Sequence, residues 1–156
     1  MRAYQPMTNG VREQLALRIK NGVDCSDFID PYEIKGEDLS RIRCERFDRT
    51  GQDLKGTNFS GAWLPHAKLI QANCEECNFH SANLERGDGT YGNFQRANFT
   101  NANCGYAIWR YADLRGATLC GTVMRFDCAD SYGARLSREF INQLLQHWRV
   151  EGVKEL

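Results

Sequence analysis

The chain counts in fives. From Leu39 to Met124, every fifth position makes a register of eighteen residues, eleven of them Leu or Phe and three of them Cys. Two places before each register residue stands Ala in nine cases and Gly or Cys in three more. The place just before is Asp or Asn in twelve. A phase held for 86 residues excludes both ordinary periodicities, since a helix repeats near 3.6 and a strand at 2. Fixed self-similarity at a short period is the mark of a solenoid.

The residue types say how such a unit works. Each unit has one large apolar side chain to bury, and one small residue that lets the backbone approach closely. Asn and Asp bond nearby backbone groups and favour turns. The chain therefore has to turn at every unit, and its backbone groups have to pair with the next coil.

The segments ANLER (82–86), ANFTN (97–101), ANCGY (102–106) and ADLRG (112–116) resemble the A(D/N)LXX motif of the pentapeptide-repeat family. The resemblance covers about 34–124 and extends toward Leu136. It implies an all-β solenoid: a right-handed quadrilateral β-helix of about five coils, four five-residue faces to a coil, with the large and small residues pointing inward. Arg49 and Gly89 depart from the pattern at large positions, and Trp109 is oversized for one. After Met124 the beat slips by two residues, since Ala134-Arg135-Leu136 falls late. A bulge or insertion near Phe126–Cys128 accounts for that.

Three segments follow: an N-terminal helical cap and lead-in over 1–33, the repeat β-helix over 34–136, and an amphipathic C-terminal helix and tail over 137–156. Val11, Leu15 and Ile19 lie at helical spacing within 11–20, and Gly22 is a stop signal. Ser137 can cap a helix that places Phe140, Ile141, Leu144, Leu145 and Trp148 on one face. The resemblance makes that face the candidate for homodimerisation, because a C-terminal element joins two copies in some family members.

Chemistry is sparse. Twenty basic and twenty acidic residues cancel, and they cancel locally: five against five in 1–36, twelve against twelve in 37–136, three against three in 137–156. No basic arm for direct nucleic-acid binding stands out. Neither a membrane-length apolar run nor a leader-like h-region is visible, so a cytoplasmic protein without a membrane contact is expected. Seven cysteines are an odd number, and Cys44, Cys74 and Cys104 sit in the register, which reads as buried filler rather than a disulfide framework. Cys74-Glu75-Glu76-Cys77 with His80 has the look of a metal or redox site, yet the repeat already sends both cysteines inward and His80 outward. The run ERGDGTYGN (85–93) stays in the repeat phase and lacks a phosphate-loop pattern. No catalytic residue, metal site or cofactor is expected.

A twenty-residue coil, taken from the resemblance, sorts the outward positions into faces. Two faces are polar. The other two carry Trp63, Ile70, Tyr91, Tyr106, Ile108, Tyr111 and Phe126, an aromatic surface around a shared corner. Such clusters mark partner sites. The expected function is a non-enzymatic protein–protein interaction or scaffold module, its partner another protein or assembly subunit. The resemblance adds a DNA-mimicking, topoisomerase (gyrase)-binding protein as an alternative, which the net-zero repeat region weakens. A virus-particle structural component or effector is a further alternative.

Overall fold

A backbone that turns every five residues needs a residue with positive φ at every corner. In the computed structural model, which describes residues 5–45, 47–118, 132–136, 138 and 142, the corner lies two places after each inward large residue. Glycine fills it at Gly51, Gly56, Gly61 and Gly116, with φ between 65° and 73°. Elsewhere Arg41, His66, Gln71, Glu76, Ser81, Arg86, Tyr91, Arg96, Asn101, Tyr106 and Tyr111 hold φ of 56–61°. Each turn closes on a backbone bond over three residues, as in Ala62 N–H to Phe59 O at 3.0 Å and Cys77 N–H to Cys74 O at 3.1 Å. A positive φ at the third turn position is the type II signature. The Asp or Asn before the large residue accepts from the amide two places on, as Asn58 Oδ1 does from Ser60 N–H at 3.1 Å.

Coils pair in parallel with a twenty-residue offset. Asp38, Arg43, Asp48 and Asp53 bridge Asn58, Trp63, Lys68 and Asn73, and the same four positions bridge again up the solenoid. Phe59 N–H donates to Asn78 O at 2.7 Å, and Asn78 N–H donates back to Thr57 O at 3.0 Å. Each side contributes one bridging residue rather than a longer strand, because the turn consumes the rest of the pentapeptide. The fold is a β-helical solenoid with few conventional strands.

The large residues form four buried stacks: Leu39, Phe59, Phe79, Phe99; Cys44, Leu64, Leu84, Cys104; Arg49, Leu69, Gly89, Trp109; and Leu54, Cys74, Phe94, Leu114. The Phe59, Phe79 and Phe99 rings lie 5.2 and 5.1 Å apart and nearly parallel. Outside, Asn side chains bond along the coil axis. Asn58 Nδ2 donates to Asp38 Oδ1 at 2.9 Å, Asn78 to Asn58 at 3.1 Å, and Asn98 to Asn78 at 3.1 Å. A second ladder joins Asp53, Asn73 and Asn93. Asn78→Ala breaks the first ladder at its middle and orphans the His80 amide that Asn78 Oδ1 holds at 3.1 Å. A loss of about 1–3 kcal/mol is expected, read from the midpoint of urea unfolding.

The lead-in folds onto the first coil. The strand β1 (Gln5–Pro6) pairs in parallel with β2 (Tyr32–Glu33). Between them lie α1 (Asn9–Lys20) and the short α2 (Ser26–Ile29). Thr8 caps α1 through its side chain. The helix stops at Gly22, φ 65°, with Gly22 N–H on Ile19 O and Val23 N–H on Arg18 O, a Schellman closure. Leu15 is buried, and Val11 and Ile19 pack against the core. The lead-in also joins the ladder: Asp24 bridges Arg43, and Cys25 N–H donates to Arg43 O at 2.7 Å.

Arg49, a departure in the sequence, has a job here. Buried in the core, its guanidinium donates to Ile29 O at 2.6 Å and Asp30 O at 3.1 Å. Those carbonyls end α2, where helix geometry leaves acceptors unsatisfied.

The slip of the beat is also real. Asp113 bridges Arg135, twenty-two residues on, and Arg135 N–H donates to Ala112 O at 2.8 Å. The expected bulge near 126–128 lies outside the described residues. So do Phe140, Ile141, Leu144, Leu145 and Trp148; of 137–156, Arg138 and Asn142 are described, both helical.

Candidate interaction surface

Two bridging columns are amide ladders. The column Asp48, Lys68, Asp88, Ile108 is different, because its top member is apolar. Its neighbouring corners are different too. One reads Gly51, Gln71, Tyr91, Tyr111 and the other reaches Tyr106. Left-handed backbone costs a residue with a Cβ roughly 1–2 kcal/mol relative to the right-handed region. Three tyrosines sit there nonetheless.

The side chains stand out from the rod: Tyr91 is 57% exposed, Tyr106 43%, Ile108 37% and Tyr111 44%. The Tyr91 and Tyr111 rings stack at 4.9 Å with planes 7° apart. Arg86 lies over Tyr106 at 5.7 Å. Tyr132, which the repeat pattern did not single out, meets Tyr111 edge-on at 5.6 Å. Gly133 follows with φ 70°, and a Cβ there would stand 2.5 Å from Tyr111 Cδ1. The backbone thus passes the Tyr111 ring where only glycine fits.

The remaining sequence candidates are placed differently. Trp63 is half-buried beneath the Arg43 guanidinium at 4.9 Å. Ile70 is half-buried. Phe126 lies outside the described residues. The ring contacts therefore gather Tyr91, Tyr111 and Tyr132, while Trp63 is engaged with Arg43 lower on the rod.

Behind this surface the core is irregular in a compensated way. A Cβ on Gly89 would lie 2.6 Å from Trp109 Cε3 and 2.9 Å from Phe94 Cε2. Trp109 occupies the volume that Gly89 leaves, packed edge-on against Phe94 and Phe99 at 5.0 and 5.6 Å. Its buried Nε1 has no hydrogen-bond partner among the described residues.

The titratable groups look structural. Cys74 and Cys77 are buried, Cys77 Sγ donates to Leu54 O at 3.0 Å, and His80 is exposed on the outside. Among the described residues no three or more His, Cys, Asp or Glu side chains gather where they could hold a metal. Burial pushes the Cys44 thiol up to about 12, and burial drives Cys104 higher still. A thiolate is the reactive form, so Cys44 and Cys104 are expected to resist iodoacetamide at pH 8 until urea unfolds the chain, as mapped by peptide mass spectrometry. The carboxylates pair with cations: Glu37 with Arg12 at 2.5 Å, Asp53 with Lys35 at 2.6 Å, Asp113 with Arg115 at 2.6 Å, and Glu75 with Arg96 and Lys55.

The family model for pentapeptide repeats matches residues 66–88 and 97–138, in eight copies. The matched spans include described turns and bridges of the rod, such as the pairing of Asn78 with Asn98. Over these spans the chain carries pentapeptide repeats. No curated protein matches its sequence. Similar solved structures include a pentapeptide-repeat protein from the Arabidopsis thaliana thylakoid lumen, 22% identical over 65% of this chain and 59% of that one, TM-score 0.36. HetL, a pentapeptide-repeat protein involved in heterocyst differentiation regulation in Nostoc sp. strain PCC 7120, is 25% identical over 64% of this chain and 47% of its own, TM-score 0.34. QnrB1, a plasmid-mediated fluoroquinolone resistance protein, is 15% identical over 78% of this chain and 92% of its own, TM-score 0.28. The chain aligns with 59% and 47% of the lengths of the first two. No helix among the described residues is long and apolar enough to cross a membrane.

Proposed function

We propose that this pentapeptide-repeat chain is a non-enzymatic interaction or scaffold module. Its rod is a right-handed, four-sided β-helix of about five coils, covered by helices at its ends, and it docks a partner protein laterally. One observation carries the reading: Tyr106, Ile108 and Tyr111 stand exposed on one coil, with Tyr91 stacked against Tyr111. Aromatic anchors of this kind dominate binding energy at protein interfaces. Association of two copies through the Phe140–Trp148 face belongs to the same proposal, and light scattering reads it.

Ile108→Glu tests the docking surface. The column already carries Asp48 and Asp88 at the equivalent place, so stability is expected to stay within about 0.5 kcal/mol. Partner binding is expected to weaken by a hot-spot loss of about 2 kcal/mol, roughly thirtyfold. The measurement compares proteins retrieved from the native source by the tagged wild type and by the variant. Equal recovery by a folded variant sinks the proposal.

The DNA-mimicking alternative has no charge to support it. Duplex mimicry calls for a negative surface, whereas acidic and basic residues cancel here and Glu37, Asp53, Glu75 and Asp113 sit in ion pairs. No inhibition of gyrase supercoiling is expected.

A further inference from the structure

The described side chains most easily oxidised are split between inside and outside. Cys25, Cys44, Cys74, Cys77 and Cys104 are buried, as are Met7 and Trp109, and Trp63 is half-buried. The exposed ones are tyrosines, and Tyr91, Tyr106, Tyr111 and Tyr132 all stand on the upper part of the rod. Two of them are held face to face. Tyr91 and Tyr111 occupy equivalent corners of neighbouring coils, with φ of 58° and 56°, and their rings stack 4.9 Å apart with planes 7° from parallel. The coil ladder below fixes that approach: Tyr91 N–H donates to Arg110 O at 2.8 Å, and Gly89 N–H to Ile108 O at 2.8 Å.

We infer that Tyr91 and Tyr111 form an oxidative cross-linking site, which a peroxide oxidant converts to dityrosine, stapling one coil to the next. Each phenol gives up one electron and one proton. The two radicals join through ring carbons ortho to the oxygens. The hydrogen on each joined carbon then moves to oxygen, which restores both phenols. In sum two hydrogens leave the protein, and one hydrogen peroxide is reduced to two waters. Preorganised rings favour this coupling within the chain over coupling between chains, because proximity replaces a bimolecular encounter. The inference stands apart from the docking proposal and survives its failure.

The test treats the folded full chain, its accessible thiols blocked by iodoacetamide without denaturant, with a haem peroxidase and hydrogen peroxide at dilute protein. The expected product is a monomer lighter by two hydrogens, with dityrosine fluorescence. Tryptic cleavage places the two rings in separate peptides, 87–96 and 111–115, which should appear joined. Tyr91→Phe and Tyr111→Phe keep their rings and remove the hydroxyls; each should abolish the monomer cross-link, whereas Tyr106→Phe should keep it. An unchanged monomer mass with fluorescence confined to covalent dimers overturns the inference. So does a link from 111–115 to 126–135, the peptide that carries Tyr132.

Discussion

Gly89→Leu, which restores the family's usual residue at a register position, is expected to destabilise the chain by about 3 kcal/mol or more. The site has no room. A Cβ alone would stand 2.6 Å from two carbons of the Trp109 indole and 2.9 Å from Phe94, and both rings are buried and packed edge-on. Trp109→Leu, the complementary change, leaves a void beside Gly89 and is expected to cost about 2–5 kcal/mol. The double variant carries Leu at both places, as Leu69 already stands one coil below. It should be more stable than the sum of the single losses allows, with a coupling of roughly 1–3 kcal/mol. Urea unfolding of the four proteins measures the cycle. Additive losses would mean that Trp109 does not fill the volume Gly89 vacates.

Phe79→Ala is the second large effect. Phe79 is fully buried, sandwiched between Phe59 and Phe99, and tilted against Phe94 at 6.4 Å. Its removal opens a cavity at mid-rod, where each coil rests on its neighbours. About 3–5 kcal/mol is expected. Phe79→Leu should recover most of the loss, since the same stack holds Leu39. Thermal unfolding followed by circular dichroism distinguishes the two variants; equal losses would assign Phe79 a role beyond filling space.

Both predictions concern residues whose inward direction the period of five already dictated. The register residues described from Leu39 to Leu114 are all buried, including the irregular Arg49, Gly89 and Trp109. The period does this because one turn per pentapeptide gives each position a fixed direction, whatever the neighbours are. Corner residues were less legible. Glycine marks several of them, but arginine, glutamine and tyrosine adopt the same positive φ elsewhere, since the ladder on either side holds the backbone there.

By itself, the sequence determined the turn, the buried register and the Asp or Asn that precedes it, while the Asn ladders came only with the closed coils. Even the two-residue slip was visible, and it returns as the bridge between Asp113 and Arg135. Tertiary structure decided which outward residues meet. Tyr91 lies on Tyr111 because four turns bring the chain round in twenty residues, a sum of turn angles that no single pentapeptide encodes. Tyr132 reaches Tyr111 because the register jump shifts it there. Trp63 is drawn beneath Arg43 one coil away. Arg49 enters the core because α2 ends one coil below it with carbonyls to satisfy. Local chemistry sets direction at each residue; contacts between coils depend on closure of the whole turn and on the ends that interrupt it.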